Sequence, residues 1–170
     1  MVTGTLAGPV ARPVGQRASA AEERVWHVLR SVVDPEIPVV SVVDLGIVRY
    51  VRAADSRLRV GITPTYSGCP ATEVIRQSIR EALAQLEIGD VIIETVLSPP
   101  WSSDWLSEQG RRRLEAFGIA VPTARAPSKV TCPRCGSRDA QCVSEFGSTP
   151  CKAHYRCRGC LEPFDFFKCI

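Results

Sequence analysis

The stretch TPTYSGCPATEVIRQSIREAL, residues 63–83, decides the fold of the first part of the chain. It follows an apolar run rich in β-branched residues, contains Gly68-Cys69, and continues from Pro70 into a segment with helical periodicity. Proline suits the first position of a helix, because the N–H that it lacks has no intrahelical partner there. The stretch therefore predicts a strand, a loop that carries Cys69, and a helix that begins at Pro70.

The segments around this loop predict an α/β (α+β) domain with a small mixed three-stranded sheet. Residues 46–51 and 58–63 are apolar runs on either side of a polar turn, which indicates an antiparallel hairpin. Residues 91–98, VIIETVLS, are a third short β-branched run, and a strand that follows a helix can pair in parallel. We expect Cys69 at the carboxyl-terminal edge of this sheet, where open α/β sheets place their ligands.

Two more helices are predicted on the flanks. Residues 21–33 have apolar side chains at helical spacing, and Asp34-Pro35 should end this helix because the residue before proline disfavours the α conformation. Residues 99–118 predict a loop and a capped helix, with Ser103 as the N-cap and Gly118 as the stop.

The domain organisation follows from changes in composition. Residues 1–20 are rich in Gly, Ala, Pro and Arg without periodicity and predict a disordered leader. Residues 21–120 form the α/β domain, residues 121–129 are a Pro/Ala/Ser linker, and residues 130–170 form a small β domain.

The last domain carries the strongest chemical signal, two C-x2-C pairs formed by Cys132 with Cys135 and by Cys157 with Cys160. This spacing is typical of a zinc ribbon, in which four thiolates complete a tetrahedral shell around a structural zinc ion. Two unrelated pairs of free thiols are the alternative. His154 could replace a ligand, but four cysteines already suffice.

Three cysteines fall outside this pattern, and the sequence does not define their roles. As small hydrophobic residues they are expected to be buried. They are Cys142, Cys151 and Cys169.

Cys69 is the candidate functional thiol of the first domain. The start of a helix favours the thiolate form, which attacks electrophiles and binds metal, whereas a buried loop thiol is the alternative. Asp34, Glu36 and Asp44 could line a site with it, although acids in loops are usually turn formers. Thr72 adds a nearby hydroxyl, and neither histidine is close in sequence, so a Cys–His hydrolase is not supported.

Composition excludes several classes of function. A net charge of +3 is far from the polybasic patch of a nucleic-acid-binding protein. No apolar run approaches the roughly 20 residues that span a bilayer, and the first residues lack the apolar segment of a secretory signal. We therefore expect a cytoplasmic protein without a membrane partner, in which paired cysteines bind metal.

Three motifs resemble the iron–sulfur assembly domain of Suf-associated and cytosolic assembly factors. They are DPEIP at residues 34–38, SVVDLGIV at 41–48 and TPTYSGCP at 63–70. The resemblance spans about residues 20–100. It implies that Cys69 is the residue that handles iron or iron–sulfur clusters.

Most of the chain after residue 20 is similar to a narrower family, the small D subunits of the phenylacetyl-CoA epoxidase system. The similarity is carried by the four-cysteine ribbon together with PPWSSDWLSEQGRRRLEAFGIAVP at 99–122, FGSTPCKAHYRC at 146–157 and EPFDFFKCI at 162–170. It implies a role in aerobic phenylacetate breakdown, beside a di-iron oxygenase and a separate reductase. The chain has neither an E-x-x-H pair nor a flavin or NAD fingerprint, so the resemblance implies maturation of the oxygenase rather than epoxidation.

Three hypotheses follow. The first is a non-catalytic maturation factor that handles iron or a cluster through Cys69, with oxygenase subunits or other iron–sulfur assembly proteins as partners and a homodimer left open. The second is a structural subunit that docks on the oxygenase through its zinc ribbon. The third is a nucleic-acid-binding zinc ribbon, which lacks the basic and aromatic face such a protein needs.

Overall fold

The computed structural model describes residues 19–54, 57–66, 68–86, 88, 90–122 and 130–168. The described residues form two compact units, which divide between Trp101 and Ser102. The predicted leader lies outside the described residues up to residue 18, and the linker lies outside them from residue 123 to 129.

The first unit is a mixed three-stranded sheet with two helices, which confirms the predicted fold class. The strands lie in the order β1-β2-β3, with β1 and β2 antiparallel and β2 and β3 parallel. In chain order the elements are α1 (Ala20–Leu29), β1 (Val48–Ala54), β2 (Arg57–Ile62), α2 (Ala71–Ala84) and β3 (Val91–Thr95).

Local sequence explains where α1 begins, and tertiary pairing explains where it ends. Ser19 and Glu22 form a capping box, in which each side chain accepts a hydrogen bond from the backbone N–H of the other residue. The helix ends at Leu29, earlier than the predicted stop before Pro35. The chain turns away because Val33 forms an isolated antiparallel bridge with Ser41.

One face of the sheet and the apolar faces of the helices form the core of this unit. Leu58, Val60 and Ile62 alternate along β2 and are buried, as expected for one face of a strand. Ile75 and Ile79 lie one helical turn apart on α2 and are also buried. Each such side chain contributes roughly 1.5–3 kcal/mol through its removal from water.

The second unit is a helix followed by a four-stranded sheet in the order β4-β7-β6-β5, which confirms the predicted β ribbon. β4 runs parallel to β7, and the other neighbours are antiparallel. After a 3₁₀ turn at Ser103–Trp105, the elements are α3 (Glu108–Phe117), β4 (Ile119–Ala120), β5 (Ala140–Ser144), β6 (Lys152–Cys157) and β7 (Pro163–Phe167).

The boundary between the units differs from the one that composition indicated, since residues 102–120 belong with the ribbon. Ile119 and Ala120 pair with Asp165 and Phe166 of β7, which ties the end of α3 to the ribbon sheet. A Cβ on Gly118 would lie 3.1 Å from the guanidinium of Arg134, so the first knuckle also touches the end of α3.

The caps of α3 are partly as predicted. Gly118 ends the helix with a positive φ of 97°, the left-handed conformation that glycine adopts most readily. The N-cap is Ser107 rather than Ser103, because the Ser107 hydroxyl accepts the hydrogen bond from the Gly110 N–H. Ser103 is buried in the preceding 3₁₀ turn. Among the described helices, none combines the length and the apolar character needed to cross a membrane.

Candidate metal centre and the Cys69 loop

Two tight turns bring the four ribbon cysteines together. In the first knuckle the Gly136 N–H donates to the Cys132 carbonyl at 2.9 Å, and Gly136 adopts a positive φ of 74° that closes the turn. In the second knuckle the amides of Gly159 and Cys160 donate to the Cys157 sulfur at 3.3 and 3.4 Å. Both turns aim their sulfurs at one point, as the C-x2-C spacing predicts.

The geometry of the four sulfurs fits zinc. Sγ of Cys132 lies 3.8 Å from that of Cys160, Sγ of Cys135 lies 3.6 Å from that of Cys157, and all four sulfurs lie within 4.8 Å of one another. Zn–S bonds of about 2.3 Å in a tetrahedron place the sulfurs roughly 3.8 Å apart. Within the described part of the chain, this is the one group of three or more His, Cys, Asp or Glu side chains suited to hold a metal ion.

The cluster has an inner and an outer side. Cys132 and Cys157 are buried and pack with Ala120 and Phe164, whereas Cys135 is exposed and Cys160 half-buried. Hydrogen bonds from the amides of Cys160 and Gly159 lower the pKa of Cys157 to about 6, against the opposing effect of desolvation. These amide hydrogen bonds favour the thiolate form of Cys157, which is the form that binds a metal ion.

The remaining ribbon residues have separate environments. Cys151 is buried, with its sulfur 3.0 Å from the Thr149 hydroxyl, as expected for a small buried side chain. Cys142 is exposed on β5, which contradicts the expectation of burial, because β5 is the last strand in the sheet order. Cys169 lies outside the described residues. His154 lies outside the four-cysteine group, and its Nδ1 contacts Asp165 Oδ1 at 3.3 Å.

Sequence reasoning missed a charged cluster on the ribbon. The ammonium of Lys152, a buried residue, lies 3.3 Å from Oδ2 of Asp165, whose other oxygen contacts His154. His154 and Asp165 are directly opposite each other in the β6–β7 ladder. The available signal was the alternation in KAHY and FDF, which places Lys152, His154 and Asp165 on one face once the register is known.

Cys69 lies in the loop that leaves the sheet at the carboxyl end of β2. The Thr63 N–H donates to the Ile47 carbonyl at 2.9 Å, which anchors the start of the loop beside the segment that precedes β1. The Cys69 N–H donates to the Tyr66 carbonyl at 3.3 Å, and the Cys69 carbonyl accepts from Thr72 at 3.2 Å. Cys69 itself is half-buried rather than enclosed.

The surroundings of Cys69 are open on one side. Gly68 has a positive φ of 82°, and a Cβ at this position would meet no heavy atom within 4 Å. The helix begins at Ala71, one residue later than predicted, with Pro70 as an N-cap that provides no side-chain hydrogen bond. The residue at the N-cap of α2 therefore provides no side-chain acceptor for the first N–H groups of the helix.

The predicted acids act as turn formers within the protein. Asp34 Oδ1 accepts hydrogen bonds of 2.9 Å from the N–H groups of Glu36 and Ile37. Asp44 and Ser41 exchange side-chain-to-backbone hydrogen bonds, at 3.0 Å to the Ser41 hydroxyl and 3.4 Å to Asp44 Oδ2. Asp34 and Asp44 are buried, so they are not the solvated turn residues expected of loop acids.

The remaining two candidate site residues are Glu36 and Thr72. Glu36 is exposed, and Thr72 is half-buried in the first turn of α2. Among the described residues, Cys69 and the three acids do not form a group of three ligands that could hold a metal ion. The structure thus brings together the four cysteines predicted to bind zinc, and among the described residues it does not assemble a closed metal site around Cys69.

Two families match the two halves of the chain. Residues 22–94 match the family described as iron–sulfur cluster assembly protein, and residues 119–168 match the PaaD zinc beta ribbon domain. The match of the second family begins at β4, in agreement with the pairing of this strand to the ribbon sheet. Cys69 falls in the first matched region, and the four clustered cysteines fall in the second.

Curated proteins and solved structures agree with this division. A Bacillus subtilis (strain 168) protein named Fe-S protein maturation auxiliary factor YitW is 35% identical over 97 residues, which cover 56% of this chain and 94% of that protein. A crystal structure of a Bacillus anthracis domain of unknown function, DUF59, superposes with a TM-score of 0.52 at 30% identity, covering 56% of this chain and 92% of that one. These similarities support the α+β fold of the first unit.

A third relative spans both units. It is an Escherichia coli (strain K12) protein whose provisional name makes it the D subunit of 1,2-phenylacetyl-CoA epoxidase. The two sequences are 47% identical over 151 residues, which cover 86% of this chain and 92% of the relative. The chain therefore belongs to the family of the D subunits of 1,2-phenylacetyl-CoA epoxidase, in which an iron–sulfur assembly domain precedes a zinc ribbon.

Proposed function

We propose that this chain is a maturation subunit of a phenylacetyl-CoA 1,2-epoxidase and delivers iron or an iron–sulfur cluster to it through Cys69. The cargo is the substrate of this process rather than a resident cofactor. The partners are the oxygenase subunits or other iron–sulfur assembly proteins, met in the cytoplasm, where thiols stay reduced. The zinc ribbon has a structural role, because four thiolates leave no coordination position open.

The observation that carries the proposal is the position of Cys69 in a half-open loop of an assembly-type domain. The thiol is partly exposed, Gly68 next to it leaves the approach clear, and α2 begins directly afterwards without a side-chain cap. A cysteine sulfur is a soft ligand that suits iron. The Bacillus subtilis relative, which is 35% identical over 97 residues, is named an Fe-S protein maturation auxiliary factor.

The lack of a group of three ligands around Cys69, in the part of the chain that the structure describes, supports delivery over storage. Within the described residues, no group of three His, Cys, Asp or Glu side chains includes Cys69. Asp34 and Asp44 direct oxygens to backbone N–H groups of their own turns. An ion held by Cys69 without such a group keeps coordination positions for ligands of another molecule, and such a shared ion can pass to that molecule.

A co-production experiment tests the proposal. The oxygenase is purified after co-production with the wild-type chain, with Cys69→Ala, with Cys69→Ser or with no partner, and its iron content and turnover are measured. We expect both cysteine variants to leave the oxygenase as poor in iron as the culture without the partner. A matched control, Cys142→Ser, removes an exposed thiol of the ribbon and should leave iron and turnover unchanged. Wild-type iron and turnover with Cys69→Ala would refute the delivery role.

A structural subunit is the second candidate function. It is favoured by the closed four-cysteine cluster, which suits a structural module. In that case the chain would co-purify with the oxygenase at fixed stoichiometry, and Cys69→Ala would bind and support turnover as the wild type does. The two functions thus give opposite results for this variant.

A further inference from the structure

We propose that the free edge of β5 is a dimerisation surface, on which a second copy of the chain adds its own β5 in antiparallel orientation. β5 is the last strand in the order β4-β7-β6-β5, and within the described residues it pairs with β6. Residues 141–144 are all exposed. The outer edge of the ribbon sheet is therefore exposed to solvent at β5.

The backbone groups that face outward can be identified. The Arg158 N–H donates to the Asp139 carbonyl at 2.8 Å, so Asp139 faces β6, and by strand alternation Gln141 does too. Ala140 and Cys142 then direct their N–H and C=O groups to the free edge. The hydrogen bond of Cys157 supports this assignment. Cys157 is opposite Ala140 in the ladder, and its N–H donates to the Glu162 carbonyl, on the side away from β5.

This edge lacks two of the usual protections against pairing, namely charge and proline. Exposed edge strands commonly carry lysine, proline or inward-pointing charges that prevent association. The β5 sequence, AQCVS, has neither charge nor proline. A register shift between Cys142 and Ser144 can turn an edge away from a partner, but it follows Ala140 and Cys142, whose backbone groups would pair. Two large apolar side chains nearby, Val143 and Phe146, are 60% and 66% exposed.

The strand is complementary to itself in one register. Antiparallel pairing requires outward-facing residues to oppose each other, and a twofold axis at Gln141 places Ala140 of each copy opposite Cys142 of the other. This register gives four N–H···O=C bonds. Moving the axis to Cys142 would place Asp139 opposite Glu145, two like charges, and moving it to Ala140 would pair Cys142 with Arg138, outside the strand. We therefore assign the axis to Gln141.

The first test measures association. Sedimentation equilibrium of the zinc-loaded full chain across a concentration series should show the mass rising from 18.6 kDa toward twice that value. Cys142→Pro removes an outward N–H from each copy and two of the four hydrogen bonds, and it should weaken association by about 30-fold or more. Cys142→Ala keeps the N–H and should associate within about threefold of the wild type.

Several outcomes would overturn the proposal. A wild-type chain that remains monomeric up to about 1 mM would do so, because such an affinity is too weak for a functional contact. Equal association of Cys142→Pro and Cys142→Ala, with zinc content and circular dichroism unchanged, would also contradict it. If the proline variant unfolds, the cross-linking experiment that follows still decides the proposal, because it uses no proline substitution.

The second test fixes the register. In a variant lacking Cys69, Cys142 and Cys169, Gln141→Cys places one thiol of each copy next to the axis in a non-hydrogen-bonded pair, where Cβ atoms are about 4.5–5.5 Å apart. Oxidised glutathione takes up the two electrons and two protons as this disulfide forms. Non-reducing electrophoresis should then show a dimer, whereas Arg138→Cys thiols, about 20 Å apart, should not link. Absence of the Gln141→Cys cross-link, or equal cross-linking of both variants, would overturn the assigned pairing.

Discussion

Sγ of Cys135 lies 3.6 Å from Sγ of Cys157, although the two residues are 22 positions apart in the sequence. The other cross-pair, Cys132 and Cys160, is 3.8 Å apart. In each pair one thiol is buried and the other is exposed or half-buried, so the inner sulfur of each knuckle contacts the outer sulfur of the other. A bound zinc ion would therefore crosslink the two halves of the ribbon, rather than fill two independent turns.

Removal of one inner ligand should unfold the second unit alone. We expect Cys157→Ser to lose the zinc ion and the ordered structure of the ribbon, because metal binding supplies most of the folding free energy of so small a module. Zinc analysis and amide spectra that resolve both units measure this effect. Cys142→Ser is the control and should keep one zinc ion per chain. Full zinc content in Cys157→Ser would disprove the four-cysteine site.

Cys69→Ala should leave the stability of the first unit nearly unchanged. The side chain is half-buried, and its carbonyl and N–H hydrogen bonds do not depend on the thiol. We expect the free energy of unfolding to fall by at most about 1 kcal/mol. Urea denaturation measures this value. If stability is retained, a loss of iron from the oxygenase results from the missing thiol and not from unfolding of the variant. A loss of several kcal/mol would show that the thiol serves packing.

The contact between Tyr50 and Gly61 should couple two substitutions. The two residues are partners in the β1–β2 ladder, and a Cβ on Gly61 would lie 2.4 Å from the Tyr50 ring. The ring is held in place, because its hydroxyl donates to Glu94 at 2.6 Å. Gly61→Ala should therefore cost roughly 1–3 kcal/mol in the wild type.

The same substitution should cost much less in Tyr50→Ala, since the clash is then absent. Urea denaturation of the wild type, both single variants and the double variant gives the coupling free energy. Additive effects of the two substitutions would contradict the contact.

The stability of the first unit should fall at acidic pH. Hydrogen bonds from Tyr50 and Arg59 lower the pKa of Glu94 below its ordinary value of 4.5. The carboxylate therefore binds fewer protons in the folded state, and its contribution is full above pH 4.5 and declines as the pH falls through the lowered folded pKa. Urea midpoints across pH 2–6 should show a shallower decline for Glu94→Gln than for the wild type. Parallel curves would rule out this linkage.

The same network should limit stability at alkaline pH. Desolvation, followed by the hydrogen bond to Glu94, raises the pKa of Tyr50 above its ordinary value of 10. Because the neutral phenol is favoured in the folded state, its contribution is present below pH 10 and is lost as the pH rises toward the folded pKa. Tyr50→Phe should lose stability at neutral pH but show a flatter alkaline decline. An unchanged alkaline slope would argue against the assignment.

The sequence by itself determined the features that depend on near neighbours. The spacing of Cys132 and Cys135 indicates a knuckle because two thiols three positions apart can point at one ion after a tight turn. The strand, loop and helix around Cys69 follow from β-branched residues, Gly68-Cys69-Pro70 and helical periodicity, and the structure differs by one residue at Pro70. Gly118 as the end of α3 follows from the freedom of glycine at positive φ.

Only the tertiary structure decided the features that depend on distant partners. Ile119 belongs to the ribbon because it pairs with Asp165, 46 positions later, and composition carries no sign of such a pairing. Cys142 is exposed because β5 is the last strand of its sheet, and sheet order is not a local property. Asp34 and Asp44 are buried turn formers. Their burial depends on packing contacts made across the whole unit, and such contacts are not a local property of the sequence.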